Sequence, residues 1–278
     1  MSSCPHHVDG IHLIPIKQHC ILAAKSIIEV SGTRDNSAAP FKGNSGKTAE
    51  MAYDWIMNAA SIETISLDPD PDNGTMMCRP AWEYAETRGK LLEQFMARFV
   101  RFNFIWTGFE ILTDLISPKN DGARKKTATI LLRDHYDPLP RIGEFDPVLE
   151  CFKCHIRDSH LFNTSLKEFC ETDDCTTSGI AIHVCSTLRN SFAHGSLHMP
   201  EPNDWNWPTR SNSDEHVLRT IGLASRLMLL SIQMLLVGAL NREGLSGQQH
   251  HPTSLFTEDD EINLKDFLMT SHRSDITW

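Results

Sequence analysis

Apolar residues recur every three or four positions along most of this chain, which is the spacing of one buried face of an α-helix. The longest such stripe lies in 83–116, and a polar segment with Pro118 and Gly122 ends it. Shorter helices are predicted over 47–67, 123–135, 145–156, 161–169 and 177–192. A last helix begins in the polar run 211–215 and extends to about Leu240.

No run of alternating apolar and polar residues is long enough to form the core of a sheet, so the pattern predicts an all-α helical bundle. Residues 1–48 mix His, Pro, Gly and Ser with short apolar patches, and we expect them to be extended or irregular. The predicted organisation is a partly helical N-terminal extension over 1–80, a helical bundle over 81–243 and a polar tail over 244–278. Within the tail, only 262–268 is weakly amphipathic.

Composition and charge narrow the class of protein. The chain has 278 residues, of which 40% are hydrophobic and 22% charged, values typical of a soluble globular protein rather than a disordered or fibrous one. Its 26 basic and 36 acidic side chains give a formal net charge of −10. This charge argues against a protein that covers nucleic-acid phosphates with a strongly basic surface, although it leaves room for a local basic site.

Two further features of the sequence predict the cellular compartment of the protein. Residues 1–10 lack the basic and apolar regions of a signal peptide, and the most apolar run, Leu227–Leu240, is shorter than the about 20 residues that a membrane span needs. We therefore expect a cytoplasmic protein without a membrane partner. In that compartment the eight cysteines are expected to be thiols or metal ligands rather than disulfides.

Four of the cysteines have a spacing similar to that of the ligands in a structural zinc site. Cys151 and Cys154 are followed by Cys170 and Cys175, and two pairs of thiols are able to hold a structural zinc ion. However, the first pair lies in an apolar helical pattern, where residues three apart share a buried face. Ordinary buried cysteines are the favoured interpretation, and a zinc-stabilised helical regulator stays open as a third hypothesis for the chain.

The most informative segment is Arg189 to Gly195, at the end of a predicted amphipathic helix. Gly195 suits the position just after the helix end, where left-handed backbone is common. Asn190 and His194 are four residues apart and therefore neighbours on one helix face. Arg189 is one step around the helix, so that the three side chains are able to converge on one ligand.

This segment, RNSFAHG in one-letter code, resembles the signature of the HEPN superfamily, in which an Arg, often followed by Asn or another polar residue, precedes a His by a short gap. The resemblance covers approximately 85–242 and implies an all-α, HEPN-like helical bundle that dimerises. Many members are metal-independent endoribonucleases in toxin–antitoxin modules, phage defence or RNA processing. Others have lost activity and bind RNA, nucleotides or protein partners.

The resemblance implies that Arg189, Asn190 and His194 form the catalytic site, without a cofactor or metal, and that two copies meet as a homodimer around a composite active site. His194 would serve as general acid and base on the 2′-OH of RNA, Arg189 would stabilise charge on the phosphoryl oxygens, and Asn190 would orient His194 or the phosphate. Glu110 is a possible orienting partner of Arg189. An antitoxin or activator protein is a further expected partner.

Two alternatives stand beside this reading. Arg189 could pair with an acid on another helix while His194 caps helix carbonyls, which would make the segment purely structural. A catalytically silent HEPN-like module that binds RNA, nucleotide or a protein partner would use the same residues without cleavage. Candidate basic patches for RNA are 124–126 with Arg133 and Arg141, and Arg219 with Arg226 on the last helix.

Overall fold

The computed structural model describes residues 11–32, 48–74, 78–116, 141–158, 179–195, 199–202, 213–242, 249–250 and 262–275. Within these ranges the helices are α1 (Ile16–Gly32), α2 (Ala49–Ser61), α3 (Arg79–Ile116), α4 (Phe145–Asp158), α5 (Gly179–Ala193), α6 (Ser213–Arg242) and α7 (Leu264–Thr270). Two strands of two residues each, β1 (Gln249–His250) and β2 (Ile262–Asn263), pair antiparallel. Helices dominate this part of the chain, which confirms the all-α prediction.

Most of the predicted helices that fall in the described ranges have the expected positions. The long stripe over 83–116 is α3, which begins four residues earlier, at Arg79. The predicted helix over 47–67 is shorter as α2. Thr48 caps its start, where the side-chain oxygen accepts from the backbone N–H of Met51 at 3.3 Å, and the helix ends at Ser61 because Ile62 has extended backbone. The helices predicted over 123–135 and 161–169 lie outside the described residues.

The expectation of an extended or irregular segment before residue 48 is wrong for 16–32, which form α1. The buried face of α1 consists of small and medium-sized residues that are at most 1% exposed: Cys20, Ala23, Ala24, Ile27 and Val30. They have helical spacing, but cysteine and alanine make a weaker apolar stripe than leucine and phenylalanine. The helix packs against α2 and α6. Its stability therefore comes mainly from these tertiary contacts, which its own weak apolar pattern does not indicate.

α6 is the central helix, and every residue from Leu227 to Leu240 is buried. It contacts α1, α3, α4, α5 and α7. By length and hydropathy, the stretch His216–Arg242 is the one helix among the described residues that is able to cross a membrane, yet 89% of its most apolar window is buried inside the protein. This burial is the behaviour of the core helix of a globular bundle.

The two ends of the described chain meet beside α6. The backbone N–H of Ile14 donates to the carbonyl of His272 at 3.0 Å, and that of Ser274 donates to the carbonyl of His12 at 3.0 Å. α7 comes immediately before this pairing in the chain, and its buried Phe267 and Leu268 pack on the core. The tail that was expected to be polar therefore contributes a packed helix, and all three predicted segments of the chain share one hydrophobic core.

A buried chain of hydrogen bonds joins α6 to α1 and α7. Arg226 donates from Nη1 to Nδ1 of His19 at 3.2 Å. Because a guanidinium only donates, Nδ1 of His19 accepts, and its Nε2 carries the proton that is donated to Oε1 of Gln233 at 3.0 Å. The amide nitrogen of Gln233 then donates to the carbonyl of Leu268 at 3.0 Å and to Oγ of Ser271 at 3.1 Å. Each donor and acceptor role in this chain is thereby fixed.

A second buried imidazole stacks on the first. The rings of His19 and His272 are 5.9 Å apart, and Nε2 of His272 donates to the carbonyl of Gly143 at 2.9 Å. Burial, together with nearby positive charge, holds the pKa of His19 well below its usual value. Burial likewise lowers the pKa of His272 from 6.5 to about 4. Both imidazoles are therefore neutral at neutral pH.

Two glycines provide a test of the packing between α2 and α3. A Cβ added at Gly108 would lie 2.6 Å from Cγ1 of Ile56 and 3.1 Å from the carbonyl oxygen of Ala52. We expect Gly108→Ala to lower the free energy of unfolding by about 1–3 kcal/mol, because backbone or side chain must move. The control is Gly222→Ala on α6, where nothing lies within 4 Å, and which should raise stability by about 0.5–1 kcal/mol. Urea unfolding followed by circular dichroism measures both; equal stability of Gly108→Ala and the wild type would contradict the close approach of the two helices.

The buried imidazoles make the free energy of unfolding depend on pH. Since the pKa of His272 is lower in the folded than in the unfolded state, the unfolded state binds more protons below pH 6.5, and stability falls as pH decreases from about 6.5 to about 4. For His272 alone the loss is about 3 kcal/mol. His272→Gln keeps a donor for Gly143 and should reduce this slope, whereas His12→Gln, at an exposed imidazole, should leave it unchanged. Identical slopes for wild type and His272→Gln would contradict the assignment.

Candidate functional site

The candidate site lies at the C-terminal end of α5. The backbone N–H of His194 donates to the carbonyl of Asn190 at 2.9 Å, and that of Gly195 donates to the carbonyl of Phe192 at 3.0 Å. Gly195 has φ of +67°, a left-handed conformation that glycine adopts without steric cost. The prediction that this glycine terminates the helix is therefore confirmed, and it places His194 at the last turn.

The end of α5 is anchored to both α6 and α3. Along the helix the buried Val184, Cys185 and Leu188 belong to the core, and α5 packs against α6. At the end, the ring of Phe192 lies against two rings of α3, with centroids 3.6 Å from Phe99 and 6.0 Å from Phe95. This packing fixes the orientation of the end of α5, and with it the direction in which the side chains of residues 189, 190 and 194 project from the helix.

Arg189 is partly buried and lies over an aromatic ring. Its guanidinium carbon is 5.8 Å from the centroid of Trp106 on α3, which is the geometry of a cation–π contact. Trp106 is 6% exposed, and its Nε1 has no hydrogen-bond partner in the part of the chain that the structure describes. Within that same part, Arg189 forms no ion pair with an acid. Its N–H groups form no hydrogen bond within the described residues, so the ring is the contact that the structure shows for this cation.

The other two predicted residues are exposed on the same turn. Asn190 and His194 both face solvent, and the hydrogen bond that joins them in the structure runs between their backbone groups. The side-chain bond by which Asn190 was expected to orient the imidazole is not formed among the described residues. Both side chains are consequently accessible to a ligand next to Arg189.

Glu110 does not take the orienting role that was considered for it. It is exposed on α3, one turn beyond Trp106, and no ion pair joins it to Arg189 in the described ranges. The structural alternative, in which an acid neutralises Arg189, is likewise not seen within these residues. Trp106 is the neighbour that sequence reasoning missed, because the residue reads as one member of the apolar stripe of α3 and nothing in the pattern connects it to residue 189.

The structure describes the candidate basic patches only in part, and it separates the residues of one of them. Residues 124–126 and Arg133 lie outside the described residues, and Arg141 pairs with Asp146. Arg219 is exposed on α6, but Arg226 is partly buried and bonded to His19. The expectation that Arg219 and Arg226 form one solvent-facing patch is therefore wrong, because seven residues on α6 separate an exposed turn from a packed one.

The described part of the cysteine set fits ordinary buried thiols. Cys151 and Cys154 on α4 are 1% and 8% exposed, and Arg157 donates to the sulfur of Cys154 at 3.1 Å. The other two cysteines of the possible zinc site, Cys170 and Cys175, lie outside the described residues.

Two imidazoles come together near these cysteines. His155 on α4 and His216 on α6 have their Nδ1 atoms 3.0 Å apart, so that one must donate and the other accept. Across the described ranges, no group of three or more His, Cys, Asp or Glu side chains is arranged to hold a metal ion. The pair is explained by a shared N–H···N hydrogen bond between the two helices.

Comparison with known proteins adds no relative: no family model matches the chain, and neither a curated protein nor a solved structure matches it. The chemistry of the site therefore rests on its own groups. An imidazole is able to accept or donate a proton, a guanidinium keeps its positive charge, and a primary amide both donates and accepts hydrogen bonds. Together these groups suit an anionic ligand that gains or loses a proton.

Proposed function

We propose that this chain is a metal-independent endoribonuclease of the HEPN type, with Arg189, Asn190 and His194 as its catalytic residues. The observation that carries the proposal is the environment of the Arg189 side chain. Its guanidinium lies over the ring of Trp106 without an acidic partner among the described residues, and the exposed imidazole of His194 follows five residues later. A cation held in this way is ready to receive a phosphate group.

The chemistry requires one proton acceptor, one proton donor and one source of positive charge. His194 takes the proton from a ribose 2′-OH, and the 2′ oxygen then forms a bond to the adjacent phosphorus. The bond from phosphorus to the 5′ oxygen breaks, and that oxygen receives a proton. The products are a 2′,3′-cyclic phosphate and a 5′-hydroxyl, so no water and no metal take part in the cleavage.

Arg189 stabilises the charge that builds up on the two non-bridging phosphoryl oxygens. A guanidinium remains protonated throughout, and its fork of N–H groups matches two oxygens of one phosphate. Asn190, exposed beside it, is positioned to donate to the same phosphate or to the imidazole once RNA is bound. The fixed end of α5, packed through Phe192 on Phe99, limits the reorganisation needed when substrate arrives.

A homodimer would complete the proton transfer. A single His194 has to act first as base and then as acid, whereas two copies that meet at the ends of their α5 helices supply one imidazole for each role. The exposure of Asn190 and His194 leaves this end of the helix accessible to a second copy. A toxin or phage-defence effector, controlled by an antitoxin or activator protein, is the biological setting that the HEPN resemblance favours.

Cleavage of RNA by matched variants tests the proposal. Full-length wild type in EDTA should cut mixed cellular RNA and spare DNA. His194→Ala and Arg189→Ala should each lose about 10²–10⁴-fold in rate, because they remove the proton carrier and the charge stabilisation. His183→Ala is the matched control, since His183 is an exposed imidazole on the same helix, about three turns before His194.

The results of this experiment distinguish a catalytic site from one that only binds a ligand. Full activity of His183→Ala together with inactive His194→Ala and Arg189→Ala establishes the nuclease and its residues. Equal cleavage by all four proteins would mean that the active site lies elsewhere or that a contaminant cuts. If the folded wild type leaves RNA intact, the catalytic proposal fails and the silent module that binds RNA, nucleotide or a protein partner becomes the better explanation.

A further inference from the structure

Trp106 on α3 is a buried tryptophan whose indole nitrogen has no hydrogen-bond partner in the described part of the chain. Its ring packs among the aromatic residues of its own helix, with centroids 6.3 Å from Phe102 and 5.8 Å from Phe109. A buried N–H without a partner costs free energy that a phenylalanine at this position would not. Packing in an apolar stripe therefore does not explain why an indole occupies the position.

The contact with Arg189 does explain the indole. The guanidinium carbon of Arg189 is 5.8 Å from the centroid of the Trp106 ring, and cation–π attraction acts within about 6 Å. Of the aromatic side chains, tryptophan attracts a cation most strongly. Within the described residues the guanidinium has neither a hydrogen bond nor an ion pair, so that this ring is what limits the many rotamers of a long side chain.

A separate ring contact holds the backbone of α5 at the same place. Phe192, three residues after Arg189, lies against Phe99, seven residues before Trp106, with ring centroids 3.6 Å apart. Since the later residue of α5 meets the earlier residue of α3, the two helices run antiparallel at this contact. The end of α5 is thus attached to α3 independently of Trp106, and loss of the indole should release the guanidinium without releasing the helix.

We propose that Trp106 is a positioning residue of the RNA-cleaving site, whose ring holds the guanidinium of Arg189 where it receives the phosphate. This inference rests on the proposed function and names the group that keeps its cation in place. A carboxylate would hold a guanidinium more firmly, but its oxygens would occupy the N–H groups and neutralise the charge that acts on a phosphate. A ring face attracts the cation without supplying an oxygen acceptor or a negative charge.

RNA cleavage by a double-mutant cycle of the full chain tests this role. Trp106→Leu removes the ring and should lower the rate about 10–10²-fold, because the guanidinium loses its position. Arg189→Met keeps an unbranched side chain without the charge. In that background Trp106→Leu should cost less than about twofold, since no guanidinium is left to position. Trp106→Phe should give an intermediate rate, because phenylalanine attracts a cation less strongly than tryptophan does.

Trp55→Leu is the matched control for the loss of an indole. Trp55 lies on α2 and packs edge-on against the ring of Phe104, with centroids 5.1 Å apart. This variant makes the same chemical change away from Arg189, and its cleavage rate should stay within about twofold of the wild type.

Urea unfolding of the four proteins of the cycle measures the contact without RNA. Trp106→Leu and Arg189→Met should each raise the unfolding equilibrium constant. The double variant should be about two- to fivefold more stable than the product of the two single effects predicts, because the cation–π attraction is lost only once.

The two cycles distinguish failure of this inference from failure of the proposed function. Multiplicative effects on unfolding would overturn the role of Trp106, as would a cleavage loss in Trp106→Leu that persists in the Arg189→Met background. If the wild type leaves RNA intact while the unfolding cycle shows the coupling, the nuclease proposal fails and the hold of Trp106 on Arg189 is supported. If Trp106→Leu does not fold, Trp106→Phe replaces it in both cycles, and an absence of coupling with that variant would overturn the role in the same way.

Discussion

Burial of α6 is the constraint on which the rest of the structure depends. The residues from Leu227 to Leu240 are apolar around nearly the whole helix, so that no single partner is able to cover them. Five of the described helices pack against α6, including α1 near the beginning of the chain and α7 near its end. The polar side chains within this stretch are satisfied internally, since Ser231 donates to the carbonyl of Leu227 and Gln233 bonds to both terminal helices.

The same packing determines what the candidate site presents. α5 is held between the central helix and α3, and it ends where Gly195 turns the backbone into the left-handed region. Its buried face is used by the core, so the residues that remain at its last turn are Arg189, Asn190 and His194. Arg189, Asn190 and His194 therefore lie near one accessible helix end, where the guanidinium of Arg189 contacts the ring of Trp106.

Sequence reasoning succeeded where one local pattern decides the outcome. The stripe of α3, the apolar run of α6 and the terminating glycine of α5 each depend on neighbours within a few positions. It failed for α1, whose Cys20, Ala23 and Ala24 are too weakly apolar to stand out. It had no access to the contact of Arg189 with Trp106 or to the bond of His19 with Gln233, which joins residues 214 positions apart. Such pairs are set by tertiary packing.

We propose that the end of α5 cleaves RNA through the neighbouring 2′-OH. The most direct measurement is the cleavage of a short RNA at a mapped position, compared with the same oligonucleotide carrying a single 2′-deoxy nucleotide on the 5′ side of that bond. We expect the all-RNA strand to be cut to a 2′,3′-cyclic phosphate and a 5′-hydroxyl, and the substituted bond to stay intact. Cleavage of the 2′-deoxy bond, or a product with a 5′-phosphate, would contradict the proposed chemistry.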